Sequence, residues 1–111
     1  MAKYVLAYHG GHRMPESEEG MDKLVAAWST WFDSMGGSLL DGGNPVGAAK
    51  TINSDGSVSD GGGVNPLAGY SLIEAGSLDA AVDIAKGCPV IGNGGSVGGS
   101  VEEESIPRMA T

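Results

Sequence analysis

The sequence predicts a single α+β domain whose elements follow the order strand, helix, strand, strand, helix, strand. One long and one shorter segment carry apolar residues at helical spacing, and the remaining apolar residues fall in short alternating runs. Glycine, proline, asparagine and aspartate separate these segments, as is typical of turns between elements. A length of 111 residues fits one domain, so residues 1–111 are predicted to form one unit.

The first predicted strand covers residues 3–9. Its residues alternate between one face with Tyr4, Leu6 and Tyr8 and another with Val5, Ala7 and His9. Because both faces are largely apolar, both are expected to be covered.

The long helix is predicted at residues 16–35. Its apolar residues recur three and four positions apart, at Met21, Leu24, Val25, Trp28, Trp31, Phe32 and Met35. Pro15 and the acidic residues after it favour a helix start, and Gly36-Gly37 favours an end. Trp28 and Phe32 are expected to anchor this helix in the core.

The rest of the chain predicts three shorter strands, a hairpin turn and a second helix. Strands at residues 38–40 and 48–52 are followed by a hairpin-type turn at Asp55-Gly56 and a loop at 57–66. A strand at 67–75 leads to a helix that Ser77 caps and that Gly87 and Pro89 end. The last strand is predicted at residues 100–106.

This order predicts a ferredoxin-like β-α-β-β-α-β arrangement, an antiparallel sheet with two helices on one face. The other face of the sheet would still present apolar side chains, and the sequence has no further layer to cover it. A second copy of the chain, related by a two-fold axis, is the simplest cover. We therefore expect a homodimer.

The charge and composition narrow the classes of partner. A formal net charge of −8 disfavours nucleic acid and anionic membranes, which repel a negative surface. No apolar run approaches the roughly 20 residues that span a bilayer, and the N-terminus lacks the pattern of a signal peptide. Cys88 is the single cysteine, so no internal disulfide can form, which fits a cytoplasmic location.

His9 and Asp41 are the candidate catalytic residues. His9 ends the first strand, and imidazole is the side chain best suited to acid/base chemistry near neutral pH. Asp41 lies in the turn after the second strand, close to the expected cleft between helix and sheet, where its carboxylate could orient the His9 ring. Turn chemistry alone also explains Asp41-Gly42.

Four further residues are candidates for contact with a small molecule: Trp28, Asn44, Lys50 and Tyr70. Trp28 is large enough to line a pocket, although its helical spacing equally predicts burial in the core. Lys50 and Tyr70 would supply polar contacts, and Asn44 brackets the same turn as Asp41.

No metal and no cofactor are expected. His9 and His12 could form a two-histidine site, but the nearby acids that would complete it are only Glu16 and Glu18, in a loop. The glycine-rich segment 92–98 lacks the G-x-G-x-x-G spacing of a phosphate-binding loop and precedes a strand rather than a helix.

Taken together, these segments resemble the YCII-related proteins, in particular their DGPF-domain branch. The matching segments are Lys3-Tyr4-Val5-Leu6, Ala27-Trp28, Trp31-Phe32, Lys50-Thr51-Ile52, Asp55-Gly56-Ser57-Val58-Ser59-Asp60-Gly61, Gly69-Tyr70-Ser71-Leu72-Ile73-Glu74, Ser77-Leu78-Asp79-Ala80-Ala81 and Cys88-Pro89. The resemblance implies a dimeric α+β barrel made of ferredoxin-like halves. It implies little about function, because most members resemble uncharacterised proteins. A few relatives look like lyases or dehydrochlorinases that act on small ring compounds.

The chain departs from that family at two places. Where the branch has Asp-Gly-Pro-Phe, this chain reads Asp60-Gly61-Gly62-Gly63. The resemblance also implies a histidine in the first helix that pairs with an aspartate, near the position of Ala26, and this helix has none. If that pair is the catalytic machinery of the family, only His9 could substitute for it here.

Two functions stay open at this point. The first is a lyase or isomerase with His9 as base, Asp41 as its orienting carboxylate, and Tyr70 or Lys50 as polar contacts. The second is a non-catalytic module that binds a small molecule or another protein. A buried His9 hydrogen-bonded to Asp41 or Tyr70 would favour the first, and an exposed His9 without partners would favour the second.

Overall fold

A computed structural model describes residues 2–10, 17–92 and 94–102. The elements in chain order are β1 Ala2–His9, α1 Glu18–Met35, β2 Leu39–Asp41, β3 Lys50–Ile52, β4 Val58–Asp60, β5 Leu67–Ala75, α2 Leu78–Ala85, α3 Pro89–Gly92 and β6 Ser96–Val101. A short 3-10 turn joins α1 to β2. Helices and an antiparallel sheet are both present, so the predicted α+β class is confirmed.

The main sheet has four strands in the order β2-β5-β1-β6. Each neighbouring pair is antiparallel, and β1 lies in the interior between β5 and β6. The central residue Leu6 is opposite Ser71 on one side and Gly99 on the other. Strands β3 and β4 form a separate two-stranded ribbon. In chain order the ribbon lies between β2 and β5, which pair with each other in the main sheet.

Strand alternation decides which face of the sheet is buried. Tyr4, Leu6 and Tyr8 are buried, whereas Val5 on the opposite face is 37% exposed. The buried face contacts the helices in one core, whose members are Tyr4, Leu6, Tyr8, Trp31, Met35, Ile73, Ala75, Ala81, Ala85, Cys88 and Val90. In one copy of the chain, therefore, the expectation that both faces of β1 are covered holds for one face only.

The long helix begins where a serine satisfies its first turn. The Ser17 side chain accepts a hydrogen bond from the Gly20 N–H at 3.0 Å, and acidic residues occupy the first turn, as the helix dipole favours. Trp31 and Met35 are the buried residues of α1, while Trp28 and Phe32 are partly buried. Trp28 and Phe32 thus pack against the core as expected, but the fully buried anchors of the helix are Trp31 and Met35.

Trp31 connects two helices as well as filling the core. Its indole N–H donates to the backbone carbonyl of Ile84, in α2, at 3.0 Å. A buried indole N–H needs such a partner, so this bond lets the large ring enter the core without an unpaired donor.

The remaining differences between prediction and structure occur in glycine- and serine-rich segments. The predicted loop at 57–66 contains β4, which pairs with β3 across the turn at Asp55-Gly56. The last strand starts at Ser96 instead of residue 100, because Gly98 and Gly99 pair with β1 despite their low strand preference. Residues 103–106 of the predicted strand lie outside the described residues.

Among the described helices, none combines the length and the apolar character that crossing a bilayer requires.

Candidate ligand-binding cleft

A cleft of about 640 Å³ opens between α1 and the β5 side of the sheet. Protein pockets for small molecules commonly have volumes of roughly 300–1,000 Å³, so a small organic molecule fits this one. The residues that line it are Tyr8, Gly10, Leu24, Trp28, Phe32, Gly42, Gly43, Asn44, Pro45, Val46, Gly47, Pro66, Leu67, Ala68, Gly69, Tyr70 and Val90.

One wall of the cleft is a stripe of α1. Leu24, Trp28 and Phe32 are spaced four residues apart, so they lie above one another on a single helix face. Trp31 and Met35 occupy the neighbouring face and point into the core. The wide apolar surface of this helix thus serves both the core and the cleft.

Aromatic rings pack closely at this wall. The Trp28 ring meets the Tyr8 ring edge to face, with centroids 5.1 Å apart, and lies 5.7 Å from the Phe32 ring. Such contacts stabilise the orientation of rings beyond simple burial. Trp28 is held on its inner side and only partly buried, so its remaining surface is available to a ligand.

The opposite wall is the segment that follows β2, and backbone hydrogen bonds hold it against β5. The Val46 N–H donates to the Ala68 carbonyl at 2.9 Å, and Pro45 forms a bridge with Gly69. Gly43 permits this approach: its φ is +67°, and a Cβ there would lie 1.8 Å from the Tyr70 carbonyl oxygen. The wall is therefore an ordered extension of the sheet.

The floor of the cleft contains a buried chain of hydrogen bonds. The Tyr8 hydroxyl donates to Ser71 Oγ at 2.6 Å, and Ser71 Oγ donates to the Gly42 carbonyl at 2.8 Å. Ser71 is fully buried, and no buried side-chain nitrogen or oxygen of the described residues lacks a partner. This chain links β1, β5 and the wall after β2.

The electrostatics of the cleft favour an uncharged occupant. The described lining contains no aspartate, glutamate, lysine, arginine or histidine. Burial raises the pKa of Tyr8 to about 12, although the hydrogen bond with Ser71 works in the opposite direction, so the phenol stays protonated at neutral pH. A charged ligand would lose its hydration without gaining an opposite charge.

The structure brings three of the predicted contact residues to the cleft. Trp28, Asn44 and Tyr70 all line it, on three different segments of the chain. Lys50 does not: it lies in β3, where its ammonium group pairs with Asp60 Oδ1 at 2.6 Å in an exposed position.

The two candidate catalytic residues, His9 and Asp41, lie next to lining residues of the cleft but do not line it, and no hydrogen bond joins them. His9 Nδ1 is 3.0 Å from the backbone carbonyl of Asn65 and 3.3 Å from that of Pro66. Asp41 Oδ1 accepts from the Gly43 N–H at 2.8 Å, which is the turn chemistry that its sequence context also predicts. The expected partners of the half-buried His9 ring, Asp41 or Tyr70, are thus replaced by loop carbonyls.

The possible metal site of His9 and His12 involves residues that the structure does not describe, since His12 and Glu16 lie outside the described residues. Within residues 2–10, 17–92 and 94–102, no three histidine, cysteine, aspartate or glutamate side chains come together as metal ligands would.

Sequence reasoning missed Tyr8, Leu24, Pro45, Val46 and Val90 as cleft residues. The spacing of Leu24 with Trp28 and Phe32 could have separated the cleft face from the core face of α1. Nothing local to Pro45 and Val46 predicts their position, because it depends on pairing with β5, more than twenty residues later.

Neither a scan against models of known protein families nor a search of curated proteins finds a match for this chain.

Proposed function

We propose that this protein binds an uncharged, largely apolar small molecule in the cleft between α1 and β5. The observation that carries the proposal is the cleft itself, about 640 Å³ in volume and lined by aromatic and aliphatic side chains without a charged one among the described residues. The amide of Asn44 and nearby backbone groups, including those of β5 at the cleft, are available to orient the ligand. This combination of apolar walls and a few polar groups is typical of small-molecule sites.

The fold that would carry this site is, in our proposal, a ferredoxin-like domain related to the YCII family. The strand order β2-β5-β1-β6, with every pair antiparallel, supports it, because β-α-β-β-α-β domains of this kind place the first and third main strands in the centre. The ribbon of β3 and β4 is then an insertion between the second and third main strands. The family relationship rests on the sequence resemblance alone.

We further propose that two copies pair through the face of the sheet that points away from the helices. Val5 on this face is 37% exposed and Leu40 is 43% exposed, and the charged cross-strand neighbours Lys3 and Glu74 are of opposite sign. A sheet face with apolar side chains and balanced charge supports burial against a second copy.

A second candidate function, acid/base catalysis at His9, has one observation in its favour. Carbonyl oxygens only accept hydrogen bonds, so a neutral His9 ring that bonds Asn65 must carry its proton on Nδ1. Nε2 would then hold the free lone pair of a general base. Nitrogen-15 NMR of the His9 ring tests this: an Nε2–H tautomer would remove the basis for the catalytic role.

Fluorescence of the uncharged dye Nile red tests binding in the cleft. We expect the emission to rise on addition of the protein and to lose at least half of that rise in Val46→Glu, which puts a charge in the wall. Val25→Glu is the matched control, since Val25 is 58% exposed on α1 and does not line the cleft, whereas Val46 is 40% exposed. Equal emission from both variants would contradict the proposed site.

A further inference from the structure

The hydrogen-bond chain on the cleft floor runs in one direction only. A carbonyl oxygen cannot donate, so at the 2.8 Å contact with Gly42 the Ser71 hydroxyl must be the donor. Its single proton is thereby used, and at the 2.6 Å contact with Tyr8 the Ser71 oxygen must accept. The proton of the Tyr8 hydroxyl is therefore directed at Ser71.

The Tyr8 oxygen keeps a lone pair but has no proton left to offer. Burial raises the pKa of Tyr8 to about 12, so the phenol is neutral near pH 7. Tyr8 is also one of the residues that line the cleft. A polar group of a ligand that reaches this oxygen thus gains a hydrogen bond only if it donates one. A ligand oxygen without a proton would meet another lone pair.

A bond donated by a ligand would extend the chain through Tyr8 and Ser71 to the Gly42 carbonyl. Each hydroxyl of such a chain is a better acceptor because it donates to the next group, so bonds that run in the same direction strengthen one another. Ser71 is fully buried and Tyr8 almost so, and a hydrogen bond is stronger there than in water. The floor therefore favours a donor more than a phenol in water would.

The backbone of the opposite wall is also short of free donors. Pro45 and Pro66 have no N–H, and the N–H groups of Gly43, Val46 and Tyr70 already donate within the protein. A carbonyl oxygen, in contrast, keeps a second lone pair after it has accepted one bond. The backbone of these five lining residues thus offers lone pairs and no free N–H.

The Asn44 amide does not change this selectivity. It is exposed, lines the cleft and carries both a carbonyl and an NH₂ group, so it suits a donor and an acceptor equally. An alcohol oxygen both donates and accepts, and can therefore use either kind of partner. A ketone or an ether oxygen can use only the donors, which the floor lacks.

Among common donor groups, the hydroxyl fits this lining best. Carboxylic acids and aliphatic amines are charged near neutral pH, and the described lining holds no opposite charge to compensate for their lost hydration. An amide is neutral, but its carbonyl needs a donor of its own. A hydroxyl is neutral and supplies the one proton that the Tyr8 oxygen can accept.

We propose that the cleft selects an alcohol, a largely apolar ligand whose neutral hydroxyl donates its proton to the Tyr8 oxygen. This inference rests on the function proposed above, because it names the class of ligand for the same cleft. It assigns to Tyr8 the role of specificity-determining residue. Ser71 is then a positioning residue, since it turns the Tyr8 proton away from the ligand.

NMR titrations with 1-indanol and 1-indanone test the selection, because the two share one ring skeleton and differ in whether the oxygen carries a proton. From the amide shifts of the cleft we expect the alcohol to bind about fivefold more tightly, as one net hydrogen bond predicts. The ether 1-methoxyindane keeps the oxygen but lacks the proton, so it should bind as weakly as the ketone.

Three variants test the assigned roles. Tyr8→Phe should bring the affinities for alcohol and ketone within about twofold of each other. Ser71→Ala frees the Tyr8 proton for the ligand, so the ketone should bind more tightly than it does to the wild type. Tyr4→Phe is the matched control: it makes the same change in β1 at a buried residue that does not line the cleft, and should keep the preference.

The outcomes separate the ligand class from the cleft. Equal affinity of the wild type for alcohol and ketone, with shifts in the cleft, would overturn the selection while leaving a ligand site between α1 and β5. No saturable cleft shifts with any of the three ligands would overturn both. A preference that persists in folded Tyr8→Phe would overturn the role of Tyr8. The wild-type comparison of the three ligands decides the ligand class without any variant.

Discussion

At the scale of single residues, Ser71 is the polar group on which the cleft floor depends. Its hydroxyl is the acceptor for Tyr8 and the donor to Gly42, and it is fully buried. Removing it leaves the Tyr8 hydroxyl, on a side chain only 5% exposed, without its hydrogen-bond partner and the Gly42 carbonyl without this donor. Each such unpaired group costs about 1–3 kcal/mol.

We therefore predict that Ser71→Ala lowers the free energy of unfolding by about 2 kcal/mol or more and Tyr8→Phe by about 1 kcal/mol. The double variant should lose less stability than the sum of the two single losses. It lacks the Tyr8 hydroxyl that Ser71→Ala alone leaves without a hydrogen-bond partner. Urea unfolding of the four proteins measures the coupling. Strict additivity would show that the bond between the two hydroxyls contributes nothing.

Two buried acids, the Tyr8 phenol and the Cys88 thiol, set the behaviour of the protein in alkali. Burial raises the pKa of Cys88 from 9.0 to about 11 and that of Tyr8 from 10.0 to about 12. The folded state thus holds these protons at pH values where the unfolded chain has lost them. This contribution to stability is complete below pH 9 and is lost as the pH rises through the folded-state values.

We predict a melting temperature that falls steadily between pH 9 and pH 12. Cys88→Ala should remove the part of the fall that starts at pH 9, and Tyr8→Phe the part that starts at pH 10. Thermal melts monitored by circular dichroism give the comparison. Parallel curves of melting temperature against pH for wild type and Cys88→Ala would contradict this, since the Cys88 thiol would then have the same pKa in the folded and the unfolded state.

At the scale of elements, α1 divides its apolar residues between the core and the cleft. Trp31 is 7% exposed and hydrogen-bonded to α2, whereas Trp28 lines the cleft with part of its ring uncovered. We predict that Trp31→Ala costs about 3–5 kcal/mol of stability and Trp28→Ala markedly less. Conversely, Trp28→Ala should weaken Nile red binding. Equal losses of stability, measured by urea unfolding, would contradict this division.

The elements with strong local patterns were predictable from the sequence. Strand β5 and helix α2 have the predicted bounds, because alternation and the Ser77 cap specify them locally. Strands β4 and β6 were not, since their glycines and serines are weak strand formers and pair only because a partner strand is present. Pairing with another strand, and not local residue preference, determines where these two strands form.

The candidate site was predictable only in part for a similar reason. Trp28, Asn44 and Tyr70 could be selected as contact residues by type and position, and the structure places all three in the cleft. Lys50 and Asp41 have the right chemistry, but the ribbon of β3 and β4 holds Lys50 away from the cleft and a local turn uses the Asp41 carboxylate. Both positions have a local signature in hindsight, the turn-forming pair Asp41-Gly42 and the hairpin turn Asp55-Gly56 that pairs β3 with β4.

At the scale of the whole molecule, apolar and charged groups are separated in a way that suits the proposed ligand site. The helices carry most of the described acidic side chains, while the cleft lining and β6 carry none. A cleft without charged side chains suits an uncharged ligand, even in a chain of net charge −8.

Amide NMR shifts during titration with 2-naphthol, a neutral aromatic probe, test the central claim most directly, because every described backbone N–H reports at once. We predict that saturating shifts are confined to Gly42–Gly47, the start of β5 and the Trp28 indole N–H. Shifts centred on the sheet face that carries Val5, or no saturable shifts at all, would contradict a ligand site between α1 and β5.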